Sequence, residues 1–335
     1  MRYVILGGGC SFAIHTALAL LADKTTECVT AVGRHARPIM HELVGYPHDH
    51  RYPFVVCNIA ETDQLIAMLD EWEPHVIINF AAEGESGASF TGPWKYFAIN
   101  NVALVLLSER LLHKPYLRRF IQISSGEVYG SVETPAREGD LLNPTSPYAA
   151  SKAAADHFLL AYHKRRGFPV NIVRPSNTYG EGQQLFRIIP KAIMFGLTGQ
   201  KIPLYGSGHG EKSYLHAADL AQGILAVARS APLGQIYNFA PRMPVTTREI
   251  VRLVAKEIGI PETSLFTDTA LRRGTDARYW LDAQKAEREL DWKPQMTLHM
   301  GIARMVRWHK ERLSALKELL PGEIARQPVP QLIGV

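Results

Sequence analysis

Apolar residues in the first 175 positions follow two alternating patterns. Short unbroken runs at 2–6, 28–32, 54–57, 76–80, 120–123 and 170–173 have the length and β-branched content of buried strands. Segments near 12–22, 62–71, 97–113 and 148–166 separate them, with apolar residues at the helical period. This alternation predicts an α/β protein with a Rossmann-type, doubly wound parallel sheet. After Arg174-Pro175 the rhythm changes: pieces rich in Gly and Pro at 179–182, 206–208, 241–244 and 272–274 interrupt helical stretches at 217–228 and 247–258. A smaller, interleaved C-terminal lobe should therefore cover the carboxyl edge of the sheet. The expected division is 1–175 for the sheet domain, a segment near 214–240 returning to it, 176–320 for the second lobe, and 321–335 as an extended tail.

Composition narrows the class. A chain of 335 residues, 46% hydrophobic, can bury one large core or two lobes. The longest aliphatic run, 102–107, is too short to span a bilayer, and Met1 leads straight into a strand-like run, so no membrane association and a cytoplasmic location are expected. Cys10, Cys28 and Cys57 have neither disulfide nor zinc-ligand spacing, and no metal site is expected. The net charge of +5 is spread along the chain apart from short clusters at 34–37, 164–166 and 272–273. That suits a small anionic ligand such as a diphosphate better than nucleic acid.

The chemistry concentrates at 120–152. A strand-like run ends in Ser124-Ser125-Gly126-Glu127-Val128-Tyr129-Gly130, and Tyr148 and Lys152 follow in a segment that opens with Pro147. Four residues apart on a helix, a Tyr and a Lys share one face; an ammonium there should lower the phenol's pKa and let it deprotonate an alcohol during hydride transfer. With 13 Tyr in the chain, composition alone yields about half of one such pair, so the weight rests on the strand end and the helix start around it.

Two further signals concern a dinucleotide. Val4-Ile5-Leu6-Gly7-Gly8-Gly9-Cys10-Ser11-Phe12 reads as strand, glycine turn, helix, which lets a backbone approach a pyrophosphate over a helix N-terminus. In a Gly-x-x-Gly-x-x-Gly register, however, Cys10 and Ala13 stand where the second and third glycines belong. At the end of the second strand an NAD enzyme usually carries Asp or Glu; this chain has Gly33-Arg34, and Arg34 with His35 and Arg37 nearby favours NADP over NAD.

Several motifs carry a resemblance over most of the chain. Ser-Ser-x-Glu-Val-Tyr-Gly at 124–130, Pro-Tyr-x-x-Ser-Lys at 147–152, Arg-Pro-Ser-Asn-Thr-Tyr-Gly at 174–180, the Gly-Ser-Gly to Asp-Leu-Ala stretch at 206–221, Phe80-Ala81-Ala82-Glu83 and Ala98-Ile99-Asn100-Asn101 are similar to the extended short-chain dehydrogenase/reductases that act on nucleotide sugars. The nearest resemblance is to dTDP-glucose 4,6-dehydratases, with UDP-sugar 4-epimerases and UDP-glucuronate decarboxylases as siblings. It implies that Ser125 hydrogen-bonds the reacting sugar oxygen, Tyr148 is the base at C4, Lys152 its electrostatic partner, and Glu127 a second acid/base able to remove the C5 proton beside a 4-keto group. It implies cofactor contacts from Gly7, Gly9, Cys10, Ser11, Phe12, Arg34, Asn58, Ile59, Ala81, Ala82, Asn100, Ser124, Tyr148, Lys152 and Pro175. The substrate would meet Glu83, Ser125, Asn177, Arg187, Tyr205, Lys212 and Arg272. A homodimer is implied too, through helices 97–113 and 148–166.

The chain departs from this pattern in places. Gly126 stands where the dehydratases carry an Asp that protonates the departing 6-hydroxyl, and glycine has no proton to give. Lys212 replaces an Arg, Asn58 an Asp, and the stretch 83–89 is altered. The reading that follows is an NAD(P)-dependent nucleotide-sugar enzyme working through transient C4 oxidation, with 4,6-dehydration first, 4-epimerisation next and decarboxylation third. A redox-inactive NADP sensor or scaffold is the competitor from another class.

Overall fold

Aliphatic runs that are apolar on both faces form the centre of a parallel sheet, because only strands covered by helices on each side bury every position. The computed structural model describes residues 1–36, 38–45, 49–269 and 278–325. Its main sheet has seven strands in the order Ile236–Phe239, Val170–Pro175, Arg119–Ile123, Val76–Asn79, Arg2–Leu6, Cys28–Gly33, Phe54–Val56. All six pairings are parallel. Arg2–Leu6 pairs with Cys28–Gly33 on one side and Val76–Asn79 on the other, so the strand order reverses there and a crevice opens past Leu6 and Asn79.

Alternate residues of each strand feed two cores. Tyr3, Ile5, Val29, Ile78 and Ile121 meet Ile14, Ala17 and Leu20 of helix Ser11–Leu21, with Ile224 and Val227 of helix Ala217–Ser230. Val4, Leu6, Ile77, Phe120 and Ile172 meet Leu65, Leu69, Leu104, Leu107 and Leu159 on the opposite face. Each fully buried aliphatic side chain contributes about 1.5–3 kcal/mol. Beyond Pro175, helices Ile188–Thr198, Thr247–Ile258 and Leu298–Glu311 enclose a third core of Ile189, Ile193, Ile250, Val254, Ile302 and Met305, flanked by three small sheets.

Two expectations change. The helix expected over 97–113 begins at Trp94 and runs through a π-type turn, Ala98–Ala103, into Leu104–Leu111. The extended tail does not start at Pro321: helix Leu313–Ala325 carries that proline inside it, because Leu316 and Leu320 bury against Leu185, Met194 and Trp308 and this burial outweighs the lost hydrogen bond. Residues 326–335 lie outside the described residues.

Candidate active site

The crevice at the strand reversal is built around the glycine turn. Gly7 has φ +78°, and a Cβ on it would come within 2.5 Å of the Ala81 nitrogen; one on Gly8 would come within 2.8 Å of Ala31 Cβ. These two glycines let neighbouring strand ends pass each other, whereas Gly9 has nothing nearer than Pro38 Cγ at 3.6 Å and faces open space. Cys10 is the extended N-cap of helix Ser11–Leu21 without a side-chain cap; the Ala13 amide donates to Cys10 O at 3.0 Å, which leaves the Ser11 and Phe12 amides for a ligand. The buried Ser11 hydroxyl also has no partner. Free amides, an orphan hydroxyl and a bare glycine fit a pyrophosphate. The cleft in front of them holds about 410 Å³ and is lined by Gly7, Gly9, Cys10, Ser11, Gly33, Arg34, Ile59, Ala81, Ala82 and Glu83, among others.

The other expected cofactor residues have the following surroundings. Phe12 and Asn58 are not among the described residues lining the cleft, and Asn58 Oδ1 accepts from the Ala60 amide at 3.1 Å. Asn100 is buried and spends its side-chain amide on the polypeptide, accepting from Glu83 N at 2.8 Å and donating to Glu83 O and to Ser151 Oγ. It fixes the loop after the fourth strand against helix Pro147–Arg166. A side chain at Gly33 would have to displace the Phe54 ring, whose tip would lie 2.8 Å from its Cβ. Arg34 is left on the cleft wall, its guanidinium paired with the Glu83 carboxylate. Burial pushes the Cys10 thiol up, which keeps it neutral. Arg37 lies outside the described residues.

At the end of strand Arg119–Ile123 a buried polar network anchors the catalytic candidates. The Ser124 hydroxyl donates to Asp156 Oδ2 at 2.9 Å, and Arg174 Nε donates to the same oxygen at 2.8 Å. Arg174 continues to the Tyr129 hydroxyl at 2.7 Å, which donates to Asn238 at 3.0 Å. Ser124 is thus committed to the core beneath the site. Ser125 is extended, and its hydroxyl accepts from the Glu127 amide at 3.1 Å, starting the single turn Gly126–Tyr129. The Glu127 carboxylate receives the Ser86 hydroxyl, which also bonds Ser146 Oγ at 2.9 Å. Ser146 caps helix Pro147–Arg166 through the Ala149 amide. One small network therefore sets both Glu127 and the helix start that carries Tyr148.

Lys152 is buried at 3% exposure and donates from Nζ to Ile123 O at 2.6 Å; burial pulls it down to about 8. Tyr148 behaves differently from the expectation that Lys152 lowers its pKa. Burial, and then the Glu127 charge, hold the phenol well above its ordinary value, with Ser125 and Arg187 acting the other way. Lys152 is not among the groups that shift it; its ammonium donates to the Ile123 carbonyl.

The place beside Gly126 is filled. A Cβ there would lie 2.6 Å from both the Tyr279 hydroxyl and Leu281 Cδ1. Tyr279 is buried, and its phenol is raised by burial and then by Glu127, with Ser125 acting the other way. Nothing in the local sequence joins residues 126 and 279; only the missing side chain at 126 hinted that something else occupies that space. Among the expected substrate residues, Arg187 at the N-cap of helix Ile188–Thr198 is near enough to lower Tyr148, Cys10 and Glu85. Asn177, on the short strand Asn177–Tyr179, has a buried amide nitrogen lacking a partner. Tyr205 ends strand Ile202–Tyr205, and Lys212 lies opposite Tyr279 in strand register. Arg272 lies outside the described residues. Ser86, Ser146 and Tyr96, whose ring meets that of Tyr148 edge-on at 6.4 Å, complete the surroundings unanticipated.

A serine, tyrosine and lysine at the carboxyl edge of a parallel sheet, beside a glycine-turn cleft, define an extended short-chain dehydrogenase/reductase. Within that class the chain belongs to the GDP-mannose 4,6 dehydratase family, which it matches over residues 14–305. It is 34% identical over 331 residues to a dTDP-glucose 4,6-dehydratase of Actinoplanes sp., covering 94% of this chain and 99% of that one. A dTDP-glucose 4,6-dehydratase of Streptomyces venezuelae solved with NAD bound is similar at a TM-score of 0.87 and 31% identity, over 94% of this chain and 98% of that one. The UDP-glucose 4-epimerase of Thermotoga maritima, at a TM-score of 0.85 and 19% identity over 93% of this chain and 100% of that one, shares the fold.

Proposed function

We propose that this protein is an NAD(P)-dependent nucleotide-sugar 4,6-dehydratase. Residues 1–175, with the returning segment near 214–240, hold the cofactor, and 176–320 hold most of the nucleoside-diphosphate sugar. The observation that carries the reading is the convergence of Glu127 with Tyr148 and Ser125, a carboxylate and a phenol close enough for the charge of one to raise the other. The bound nicotinamide supplies a reversible acceptor for the C4 hydrogen. Ser125 holds the C4 oxygen, Tyr148 takes its proton, and Glu127 takes the proton that the 4-keto group makes acidic at C5. Lys152 keeps the Tyr148 helix and the Ile123 strand end in register. The Ser11 hydroxyl, Gly9 and the first-turn amides would hold the pyrophosphate; Gly33 and Arg34 favour a 2′-phosphate over a bare ribose. Asn177, Arg187, Tyr205, Lys212 and Arg272 are assigned to the sugar nucleotide. A homodimer in a reducing, cytoplasmic setting fits the three free cysteines.

Elimination predicts that Glu127→Gln abolishes the 4-keto-6-deoxy product, read by its alkaline chromophore, while C4 oxidation still builds reduced-nicotinamide absorbance. The second reading, 4-epimerisation, is favoured by the absence of a side-chain acid at Gly126. It predicts turnover within about tenfold of wild type for the same variant, because Tyr148 alone handles the only proton. Inverted C4 without solvent deuterium at C5 would overturn elimination.

A further inference from the structure

Elimination of water from C5 and C6 needs two groups: a base for the C5 proton and an acid for the departing oxygen, since hydroxide is a poor leaving group. Glu127 serves as the base, and residue 126, beside it, is a glycine with no proton to donate. The space a side chain at 126 would occupy contains the Tyr279 hydroxyl, 2.6 Å from an ideal Cβ. Tyr279 is brought there by strand Arg278–Tyr279, which pairs with Glu211–Lys212, and by its carbonyl accepting from the Ser213 amide at 3.2 Å. The Ser125 hydroxyl, next to Gly126 in the chain, is close enough to draw down both the Tyr148 and the Tyr279 phenol.

We propose that Tyr279 is the general acid of the elimination and that Ser125 relays to it the proton Tyr148 removes from the C4 hydroxyl. This inference rests on the elimination reading above. The protons balance. Tyr148, as phenolate, takes the C4 hydroxyl proton while C4 gives up hydride; Glu127 takes the C5 proton; the C6–O bond breaks and its oxygen leaves as water with the Tyr279 proton. Transfer of that proton from Tyr148 through Ser125 to the Tyr279 phenolate then regenerates the Tyr148 phenolate and the Tyr279 phenol. C6 and C5 are saturated by the hydride that left C4 and the proton held on Glu127, so the sequence is redox-neutral overall. The charge of Glu127 helps hold the Tyr279 phenol up, and that charge disappears when Glu127 takes the C5 proton, which eases donation at the step that requires it.

The test is Tyr279→Phe with dTDP-glucose, UDP-glucose and GDP-mannose, and with the 6-deoxy-6-fluoro analogue of whichever sugar wild type dehydrates. The variant should still oxidise C4 and build reduced-nicotinamide absorbance, which also reports a folded site. It should form 4-keto-6-deoxy product at least about 100-fold more slowly than wild type. Fluoride departs without a proton, so release from the fluoro analogue should stay within about tenfold of wild type, whereas Glu127→Gln should block both substrates. Near-wild-type dehydration by Tyr279→Phe would overturn the assignment, as would equal slowing on hydroxyl and fluoro sugars, the mark of a merely structural role. If wild type makes no 4-keto-6-deoxy sugar from any of the three, elimination itself fails and the relay falls with it.

Discussion

Tyr148 is under opposing pressures. Its phenol is held up by burial and by Glu127, and drawn down by Ser125 and Arg187. Because it acts on the C4 proton as hydride leaves, Tyr148→Phe should lower kcat by about a hundredfold or more with nucleotide-sugar affinity little changed, as steady-state kinetics and calorimetry would show. Near-wild-type turnover would remove the central assignment. The identities of Ser125, Glu127, Tyr148 and Lys152 were legible in the sequence because strand end, turn and helix cap are local. Their electrostatics were not: the destination of the lysine ammonium depends on the Ile123 carbonyl, 29 residues away along the chain.

Elements decide how these residues face the cleft. At the end of strand Cys28–Gly33 the Phe54 ring covers Gly33, and Arg34 is left on the cleft wall. Tighter binding of NADP than NAD is the expected calorimetric result, and Arg34→Ala should erase the difference; tighter NAD binding by wild type would reduce Arg34 to the partner of Glu83. Helix Leu298–Glu311 buries His309, whose Nδ1 is 2.7 Å from Met305 O, and burial lowers its pKa to about 4. An unfolded chain takes up this proton near pH 6.5 and the folded one only near 4, so stability should fall as pH falls through that window. The loss from this group is on the order of 3 kcal/mol. Chemical denaturation of His309→Gln across the same range should show a shallower decline; an unchanged slope would assign the acid sensitivity to other groups. Periodicity placed this helix's neighbour at 247–258 but said nothing of 298–311, where buried His309 and exposed polar residues share one segment.

At the scale of the whole molecule, the helical stretch from Trp94 to Leu111 has a double role. Leu104 and Leu107 are buried in the chain's own core, and Leu159 with them, so Leu107 and Leu159 are unavailable to a partner. Trp94, Phe97, Val102 and Leu106 remain 69%, 39%, 58% and 46% exposed, and Phe158 and Tyr162 on helix Pro147–Arg166 are partly buried. An apolar face of this kind suits an isologous two-fold contact. Light scattering at micromolar concentration should give a dimer mass, and Val102→Glu with Leu106→Glu should give a monomer; a monomeric wild type would contradict the arrangement.

Neighbouring residues settle among themselves the alternation of buried strands and amphipathic helices, the glycine turn before Ser11, and the Tyr148 to Lys152 spacing behind a proline. Backbone geometry and the 2.0 and 3.6 residue periods act over a few positions and need no partner from elsewhere. Tertiary structure alone decided what meets across long separations. It brought Tyr279 into the space before Gly126, bound the Ser124 and Asn100 side chains to Asp156 and Glu83, and carried a helix through Pro321. Each outcome rests on filling space or satisfying a buried polar group with whatever the fold brings near, and that information belongs to no single stretch of chain.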